Sequence, residues 1–427
     1  MYIMPKKKSS PVKKKQKSSY LSIFVGLLVV FSIALTGFWF VRKQMLTKEL
    51  GNIIETEWNA YTADKSNFPG GFAMQVLSPN GDYFVSTGMG EGMTNKHHFR
   101  TASVSKTFTA AGIMLLHQRG LLNIEDKIID VIPGTDKPYI SDTSDYAIPY
   151  KNDITIRMLL NHRAGVFDIS NSAIEVNRFS AANPYVGYNY IQFVESTEPN
   201  HTFTFDELVG VVADNQQVYF APGTTYKYSD TGYSMLGKII ETVSGKPYAE
   251  FIRDELLIPN GLLDTRVIVE GSDLDMPFPF TKGFNWKAGE IQEVTRSNMS
   301  PHVAEGSVMT TPRDLALWGK KLFAGQAGLT KETVQMMIDG CSNMGAEGTS
   351  VGKYGLGIIC KGSWYGHNGA HEGYLSNMMH DINTGVTYVI FTNTWDCSTC
   401  ETGLDSLMHE LLKMDEISGK VLRKLGY

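Results

Sequence analysis

Apolar residues recur every three or four positions along several stretches of the chain, which is the spacing of an amphipathic helix. The clearest stretch is Phe205–Asn215, where Thr204 precedes the apolar run and Glu207 follows three residues later, the arrangement of a capping box. The same spacing predicts further helices at residues 44–62, 107–117, 156–160, 233–243 and 404–413.

Other stretches are short, rich in β-branched and aromatic residues, and bounded by turn residues, as strands are. Residues 71–78 and 82–87 flank Pro79-Asn80-Gly81, and Asn-Gly is a strong hairpin signal. Further strand-like runs lie at 355–360, 375–381 and 385–392. Strands at both ends of the chain with helices between them predict one α/β sheet, interrupted by a helical insertion at about residues 104–300.

Two long stretches, residues 167–203 and 269–300, follow neither the helical nor the alternating period. Long irregular loops of this kind often carry binding and catalytic residues. We therefore expect these two stretches to form walls of a functional site.

An uncharged stretch of 22 residues lies at positions 20–41, and at 1.5 Å per residue it can cross a hydrocarbon core about 30 Å thick. Seven lysines precede it and few basic residues follow closely, so the positive-inside rule predicts a cytoplasmic tail at residues 1–19 and an extracytoplasmic domain at residues 46–420. A cleaved signal peptide is the alternative, although the run is long for one and no clean A-x-A site follows it.

Charge is distributed unevenly along the chain. All 39 basic and 44 acidic residues give a net charge of −5, but residues 1–45 hold nine basic residues and no acid. The rest of the chain therefore has a net charge of −14. Binding to a phosphate backbone requires clusters of Lys and Arg, so nucleic acid is not an expected partner.

The four cysteines, Cys341, Cys360, Cys397 and Cys400, all lie near the C-terminus. An exported domain permits disulfides, and the sequence leaves three pairings open. The last two cysteines have C-x-x-C spacing but no second such pair accompanies them, which makes a four-thiolate zinc site the weaker interpretation.

The first candidate catalytic residues are Ser103 and Lys106, which form an S-x-x-K motif where a helical pattern starts. The motif alone is a weak signal, because residues 10–13 and 350–353 also match it. On the opening turn of a helix, however, a spacing of three brings the amine to the same face as the hydroxyl, and the helix N-terminus directs free N–H groups towards it. A hydroxyl nucleophile needs such a neighbour, because it is inert without a base.

Two further motifs follow in the chain. Tyr228-Ser229-Asp230 lies between Pro222-Gly223 and a helical pattern, and the glycine-rich segment 366–374 contains His367-Asn368-Gly369. Glycines beside a strand allow a substrate backbone to approach closely.

In this order the motifs resemble those of the serine β-lactamase and penicillin-binding protein superfamily, most closely its class C and D-alanyl-D-alanine carboxypeptidase-like branch. Ser103 to Lys106 is similar to the nucleophile motif, Tyr228-Ser229-Asp230 to Y-[SA]-N, and His367-Asn368-Gly369 to [KH]-[TS]-G. Flanking matches lie at residues 154–166, 220–223 and 306–315. The resemblance spans residues 70–395 and implies a β-lactamase-like α/β (α+β) fold, an antiparallel sheet flanked by helices with an inserted all-α subdomain, here preceded by a transmembrane helix.

The resemblance also implies an acyl-enzyme mechanism without a metal or a cofactor. Ser103 attacks an acyl carbon while Tyr228, its phenol pKa lowered by the Lys106 ammonium, takes the proton. The backbone N–H groups of Ser103 and Ala370 form the oxyanion hole, and water hydrolyses the acyl-enzyme. The remaining substrate-binding residues are Asp230, His367, Asn368 and Gly369.

Two positions depart from the family pattern. The triad reads His-Asn-Gly where related β-lactamases usually have Lys-Thr-Gly, and a neutral imidazole binds a carboxylate less well. Asp230 replaces the usual Asn, and its carboxylate favours a charged Lys106 and can receive a substrate ammonium.

We therefore expect a D-amino-acid ester or amide of the cell envelope as the substrate, such as the D-alanyl esters of teichoic acids or D-amino-acid peptides. A class C-like β-lactamase and a non-catalytic wall-binding protein are the alternatives. His162 is expected to have a structural role. His371-Glu372 and His409-Glu410 lack the second histidine of a zinc-protease motif. The sequence leaves the oligomeric state open.

Overall fold

The structure, a computed structural model, describes residues 1–8, 16–344, 352–400 and 405–427. For Asn343 and for most positions between residues 16 and 36, only the backbone is described. Two compact units are present, Met1–Asn52 and Ile53–Tyr427. Every residue predicted to take part in catalysis lies in the second unit.

The strands of the described residues are β1 (Phe72–Ser78), β2 (Gly81–Thr87), β3 (Phe99–Arg100), β4 (Arg266–Val267), β5 (Phe284–Lys287), β6 (Glu290–Glu293), β7 (Val308–Thr310), β8 (Ser342–Asn343), β9 (Lys353–Tyr354), β10 (Ile359–Lys361), β11 (Trp364–His371), β12 (Tyr374–Asp381), β13 (Val386–Thr392) and β14 (Thr394–Asp396).

The α-helices are α1 (Gln16–Thr62), α2 (Lys106–Gln118), α3 (Ile156–Leu160), α4 (Tyr190–Glu195), α5 (Phe205–Asn215), α6 (Asp230–Ser244), α7 (Tyr248–Ile252), α8 (Ile258–Asn260), α9 (Pro312–Phe323), α10 (Lys331–Asp339) and α11 (Asp405–Leu425). Short 3₁₀ turns include Ala102–Ser105 and Ser300–His302, and a π-helical turn joins α7 to α8.

The main sheet is antiparallel and runs in the order β2-β1-β13-β12-β11-β10-β9-β8. Every position of β12 and β13 is buried, as expected for central strands that are covered on both faces. The helices α2 and α9 pack together through the stacked rings of Phe108 and Trp318, whose centroids lie 4.2 Å apart. The predicted antiparallel sheet flanked by helices is therefore confirmed.

Helix starts follow the local sequence closely. Thr204 Oγ1 accepts a hydrogen bond from the backbone N–H of Glu207 at 3.2 Å, so α5 begins where the capping pattern predicted. Ser229 Oγ caps α6 by accepting from Gly232 N at 3.1 Å. This cap places Asp230 on the first turn of α6, at the positive end of the helix dipole.

The prediction of an all-α insertion at residues 104–300 is wrong, because β4, β5 and β6 lie within it. β5 and β6 form a hairpin in which Lys287 pairs with Glu290 across a two-residue turn. Both turn residues, Ala288 and Gly289, have positive φ, a conformation usually marked by Asn-Gly. With Ala in that place, the sequence carried no recognisable turn signal.

Two predicted C-terminal elements have other bounds, and the long strand β11 was missed. The strand predicted at 355–360 is reduced to Ile359–Lys361, because Gly357 has a φ of 76° and interrupts the extended backbone. The closing helix, predicted at 404–413, extends to Leu425. β11 was not predicted as a strand, since its glycines and histidines obscure the alternating pattern.

The predicted membrane segment, residues 20–41, lies within α1, and many of its side chains are outside the described residues. Among the residues that are described, no helix has both the length and the apolar character needed to cross a membrane. The predicted anchor therefore gains no support from the structure.

The cysteines form two disulfides, Cys341–Cys360 and Cys397–Cys400. The pairing that the sequence left open is thus 341 with 360 and 397 with 400. All four sulfur atoms are engaged, so the thiolate zinc site is ruled out for this oxidised form.

Candidate active site

Ser103 lies in the 3₁₀ turn Ala102–Ser105 that immediately precedes α2, and not on the first turn of the α-helix itself as the sequence suggested. Ala102 is buried and has a φ of 48°, an unusual conformation for a residue with a side chain. Ser105 Oγ fixes the far end of the turn by accepting from Val308 N at 3.0 Å. Ser103 is therefore held in place from both sides.

Lys106 is completely buried, and its ammonium contacts three residues of the site. Two of them, Ser103 and Asp230, were predicted from the sequence, and Glu305 was not. Its Nζ donates to Ser103 Oγ at 3.1 Å and lies 2.6 Å from Asp230 Oδ1 and 3.2 Å from Glu305 Oε2. Burial opposes the charged form, but the two carboxylates outweigh it and hold the pKa of Lys106 well above its ordinary value. Lys106 is thus an ammonium at neutral pH.

Tyr228 lies beside this ammonium, with Lys106 Nζ 4.8 Å from the centre of its ring. Its hydroxyl oxygen is buried beside the Lys106 ammonium and the Ser103 hydroxyl. Burial raises the pKa of Tyr228 well above its ordinary value; Lys106 lowers it, and Asp230 adds to the rise. The expectation of a lowered phenol pKa is therefore wrong for the unliganded protein, because burial outweighs the ammonium.

Asp230 uses both carboxylate oxygens. Oδ1 pairs with Lys106, and Oδ2 accepts from Asn171 Nδ2 at 2.8 Å. The same Asn171 nitrogen donates to Asp168 Oδ2 at 2.9 Å, so one amide bridges two buried carboxyl groups. Burial and the neighbouring Asp230 raise the pKa of Asp168 to about 7. Asp230 lies where the sequence predicted, but Asp168 and Asn171 were missed.

Glu305 is the second carboxylate on Lys106, and the sequence analysis did not single it out. Besides Oε2, its backbone carbonyl accepts from Lys106 Nζ at 3.0 Å. His302 Nδ1 holds the other carboxylate oxygen at 2.5 Å. Burial opposes ionisation of Glu305, yet Lys106 and His302 outweigh it and lower its pKa. In the sequence, Glu305 immediately precedes the segment 306–315 that resembles the family. This position was the only feature of the sequence that could have pointed to Glu305.

The strand β11 brings the glycine-rich triad against the nucleophile. A Cβ atom on Gly369 would lie 2.3 Å from Thr101 O and 2.9 Å from Ser103 N, so only glycine permits this approach. Asn368, Gly369 and Ala370 line the same cavity as Ser103. This placement is compatible with an oxyanion hole formed by the N–H groups of Ser103 and Ala370, which stays a prediction.

His367 is buried, and the protein engages both of its ring nitrogens. Nδ1 lies against the carbonyl of Asn368, which can only accept, so Nδ1 carries the proton. Nε2 then accepts from Tyr354 Oη at 2.8 Å. Burial and the nearby Lys106 lower the pKa of His367 to about 3. His367 therefore lines the cavity as a neutral ring without an N–H for a substrate.

His162 lies beneath the site and supports Tyr228. The two ring centroids are 4.1 Å apart, and His162 Nδ1 accepts from Ser229 N at 3.2 Å. Tyr233 and Tyr354 pack around the same imidazole at 5.1 and 4.8 Å. These contacts are structural, in line with the predicted role of His162.

Ser103, Tyr228 and Asp230 open onto a cavity of about 420 Å³. Asp168, Asn171 and Ser172 from the irregular stretch 167–203 line it, which confirms that stretch as a site wall. Among the described residues, none from 269–300 lines the cavity, so the same prediction fails there. A serine, a lysine and a tyrosine that meet at a cavity edge, beside a strand that approaches the nucleophile, form an arrangement suited to acyl transfer.

The beta-lactamase family model matches residues 63–411, which covers most of the chain and every site residue described above. Penicillin-binding protein 4* of Bacillus subtilis (strain 168) is 32% identical over 236 residues, or 53% of this chain and 42% of that protein. Penicillin-binding protein 4 of Amycolatopsis lactamdurans is 24% identical over 327 residues, or 72% of this chain and 74% of that protein. The chain thus spans less than half the length of the first of these relatives.

The solved D-amino acid amidase from Ochrobactrum anthropi SV3 has a similar fold, with a TM-score of 0.67 and 23% sequence identity. The similarity covers 89% of this chain and 98% of that one. At this level of identity the comparison establishes the shared fold.

Proposed function

The chain belongs to the beta-lactamase family, and from that premise we propose that it is a serine hydrolase that cleaves an ester or amide of a D-amino acid in the cell envelope through an acyl-enzyme on Ser103. The observation that carries the proposal is the 3.1 Å contact between Lys106 Nζ and Ser103 Oγ at the edge of the cavity. A lysine ammonium and a phenol beside one serine hydroxyl can move its proton and stabilise the charge that develops on its oxygen.

The reaction proceeds in two transfers. Tyr228 first becomes a phenolate and releases its proton to solvent. Ser103 Oγ then bonds to the acyl carbon while its proton passes to this phenolate, and Tyr228 returns the proton to the leaving alcohol or amine as its bond to carbon breaks. Water then attacks the acyl-enzyme and restores the serine. Lys106 remains an ammonium and stabilises the developing negative charge on Ser103 and Tyr228.

A cationic substrate would help Tyr228 to act as a base. Tyr228 is a phenol at rest, and the Asp230 carboxylate is one of the causes that raise its pKa. An ammonium placed near Asp230 offsets that carboxylate and so lowers the phenol pKa. A substrate with a free amino group would thereby promote its own acylation.

Asp168 supports the same substrate class. Its hydrogen-bond donors, Ser170 N, Asn171 Nδ2 and the backbone N–H of Asp230, are all neutral, and among the described residues no Lys or Arg forms an ion pair with it. Asp168 also lines the cavity. A substrate ammonium would supply the cation that this buried carboxyl lacks. Because Asn171 bridges Asp168 Oδ2 and Asp230 Oδ2, we place the ammonium against Asp168 and beside the Asp230 oxygen that Lys106 does not hold.

The β-lactamase alternative is less well supported. A β-lactam antibiotic presents a carboxylate, and His367, the residue in place of the usual lysine, is neutral with both nitrogens engaged. The triad therefore offers no cation to that carboxylate.

The experiment compares the hydrolysis of a D-alanyl ester with that of the N-acetyl-D-alanyl ester of the same leaving group. We expect the wild type to favour the free amine in kcat/KM by about 10- to 100-fold, the worth of a hydrogen-bonded charge. Asp168→Asn should lose most of this preference, whereas Ser172→Ala, a change in the same cavity wall, should keep it.

Equal kcat/KM for the two esters in the wild type would contradict the proposed substrate class. The L-alanyl ester tests the stereochemistry, and the proposal expects it to be the poorer substrate. Ester turnover that persists in Ser103→Ala would contradict Ser103 as the nucleophile, and a wild type that hydrolyses no ester would favour the wall-binding alternative.

We further propose that residues 20–41 anchor the enzyme in the cell membrane, with the catalytic domain on the outer side. Support comes from the uncharged stretch of 22 residues and from the lysines that precede it. Fractionation of cells and protease treatment of intact spheroplasts test this. The expected result is a membrane-bound protein whose catalytic domain is digested from outside, and release of a shortened soluble form would contradict it.

A further inference from the structure

Glu305 contacts the catalytic lysine twice, through Oε2 at 3.2 Å and through its backbone carbonyl at 3.0 Å. Its side chain is only 3% exposed, and it does not belong to the residues that line the cavity. Asp230, the other carboxylate on Lys106, does line the cavity. The two counter-ions of Lys106 therefore differ in whether a substrate can reach them.

The backbone around Glu305 is arranged to direct it at Lys106. The carbonyl of His302 accepts hydrogen bonds from the N–H groups of Glu305, Gly306 and Ser307. Ala304 has a φ of 70°, so a residue with a side chain adopts a left-handed conformation between His302 and Glu305. His302 Nδ1 then binds Glu305 Oε1, which leaves Oε2 for the lysine.

Charges alternate along this chain of contacts: Asp230, Lys106, Glu305 and His302. Burial opposes a charged His302, but Glu305 outweighs it and raises the pKa of His302, which favours the charged imidazole beside that carboxylate. The titratable and charged groups that face Glu305 and His302 from the surrounding elements are Lys106, Asp168, Glu195, Asp230, Tyr248 and His371.

We propose that Glu305, oriented by His302, is a positioning residue for Lys106: it is the permanent counter-ion that keeps the ammonium against Ser103 while Asp230 is engaged by substrate. This inference rests on the proposed hydrolase function and deepens it. A substrate ammonium beside Asp230 competes with Lys106 for that carboxylate. Glu305 is shielded from the cavity and keeps Lys106 charged throughout the turnover.

The test is the rate at which a fluorophosphonate modifies Ser103 in the full-length chain, measured by intact mass between pH 6 and pH 10.5. In this reaction Ser103 Oγ bonds to phosphorus and fluoride leaves, so no substrate preference enters. We expect Glu305→Gln to react at least about tenfold more slowly near neutral pH, because the ammonium loses a partner that fixes it. Its rate should also fall at alkaline pH about 1 to 3 pH units earlier than in the wild type, since removal of an adjacent carboxylate lowers the lysine pKa by that amount.

Glu195→Gln is the matched control, because Glu195 faces His302 but is not among the groups that contact Lys106. Its pH profile should superimpose on that of the wild type. His302→Gln retains a donor for Glu305 and should shift the alkaline limb of the pH profile less than Glu305→Gln does. His302→Ala has no such donor and should shift the limb in the same direction by more than His302→Gln. This series also tests the inference if Glu305→Gln fails to fold.

An alkaline limb in Glu305→Gln that superimposes on the wild type would overturn the positioning role, even if the rate were lower. A faster reaction in Glu305→Gln would also overturn it, because it would mean that neutral Lys106 is the base and that Glu305 holds it back. In both cases Ser103 would still be labelled, so the proposed hydrolase would stand. A wild type that is not labelled at any pH would overturn the proposed function and this inference together.

Discussion

Glu305 and Glu410 are both almost fully buried glutamates, yet their surroundings give them opposite properties. Glu305 contacts the ammonium of Lys106 and the imidazole of His302, and these cations lower its pKa against the effect of burial. Glu410, on α11, accepts hydrogen bonds from Thr392 Oγ1 and Asp396 N, both at 3.1 Å. Burial raises the pKa of Glu410 to about 8.

The difference shows what keeps a buried carboxylate charged. Two neutral donors satisfy the oxygens of Glu410 but do not offset the cost of removing the charge from water. Lys65, whose charge also acts on Glu410, pairs with Asp396 at 2.6 Å instead. In the active site, by contrast, the Lys106 ammonium touches the Glu305 carboxylate directly, and the pKa of Glu305 is lowered in spite of burial.

Asp168 resembles Glu410 rather than Glu305, although it lies in the active-site cavity. It too accepts from neutral donors, and its pKa is raised to about 7. Unlike Glu410, it is placed where a ligand can reach it. Of the three carboxyl groups, Asp168 is therefore the one that both lacks a cationic partner and can be reached by a cationic substrate.

The largest effect on the buried carboxylates is expected when the cation is removed from the active site. In Lys106→Met, Asp230 and Glu305 lose their shared partner, and we expect the free energy of unfolding to fall by about 3 to 5 kcal/mol and hydrolysis to fall to background. Denaturant titration and ester hydrolysis measure the two effects.

The control for Lys106→Met is the triple variant with Asp230→Asn and Glu305→Gln added. It should recover most of the lost stability and none of the activity, because no uncompensated charge then remains buried. A triple variant no more stable than Lys106→Met would mean that the loss arose from packing and not from charge.

The second prediction concerns the stability of the Glu410 region. In the folded protein the pKa of Glu410 is about 8, above its ordinary value of 4.5. The protonated Glu410 side chain therefore stabilises the fold fully below pH 4.5, and this stabilisation is lost as the pH rises through 8. Glu410→Gln should remove roughly 3 to 5 kcal/mol of this pH dependence between pH 5 and pH 9, measured as the difference in unfolding free energy from the wild type. Glu416→Gln, on the exposed side of the same helix, should leave the slope unchanged. If Glu410→Gln keeps the wild-type slope, Glu410 is ionised in the native protein.

The smallest effect is expected at Asp168. Its carboxyl ionises as the pH rises through about 7, so the KM for a D-alanyl ester should fall by about two- to fivefold between pH 6 and pH 7.5, before the substrate amine itself loses its proton near pH 8. Asp168→Asn should abolish this change, and the N-acetyl ester should not show it in the wild type. A KM that changes equally for both esters would place the titration elsewhere.

Much of the site could be predicted from the sequence because its residues occur in short, ordered motifs. Ser103 and Lys106 lie three positions apart on consecutive helical turns, and Asp230 follows Tyr228 by two at a helix start. Each pair is brought together by local geometry alone, so spacing was sufficient to find it.

The remaining site residues come together only through tertiary structure. Glu305 is 199 positions from Lys106 along the chain, and Asn171 is 59 from Asp230. No local pattern marks such contacts. The direction of the Tyr228 pKa failed for the same reason, since burial of the hydroxyl depends on the surrounding fold.

The same distinction between local and long-range contacts explains which secondary-structure elements could be predicted. Phe205–Asn215 was predicted with its observed bounds because its cap and apolar period are local. The strand β11 was missed because Gly366 and Gly369 weaken its strand signal. The close approach of Gly369 to Ser103 and of Gly366 to Met378, which requires these glycines, is formed only in the folded protein.

The most direct test of the account is to locate the nucleophile by mass spectrometry. The full-length chain is treated with a fluorophosphonate, its intact mass is measured, and the modified residue is identified in a digest. The account predicts one adduct per chain, on Ser103, that is absent in Ser103→Ala and retained in Ser172→Ala. An adduct that persists in Ser103→Ala, or an unmodified wild type, would contradict it.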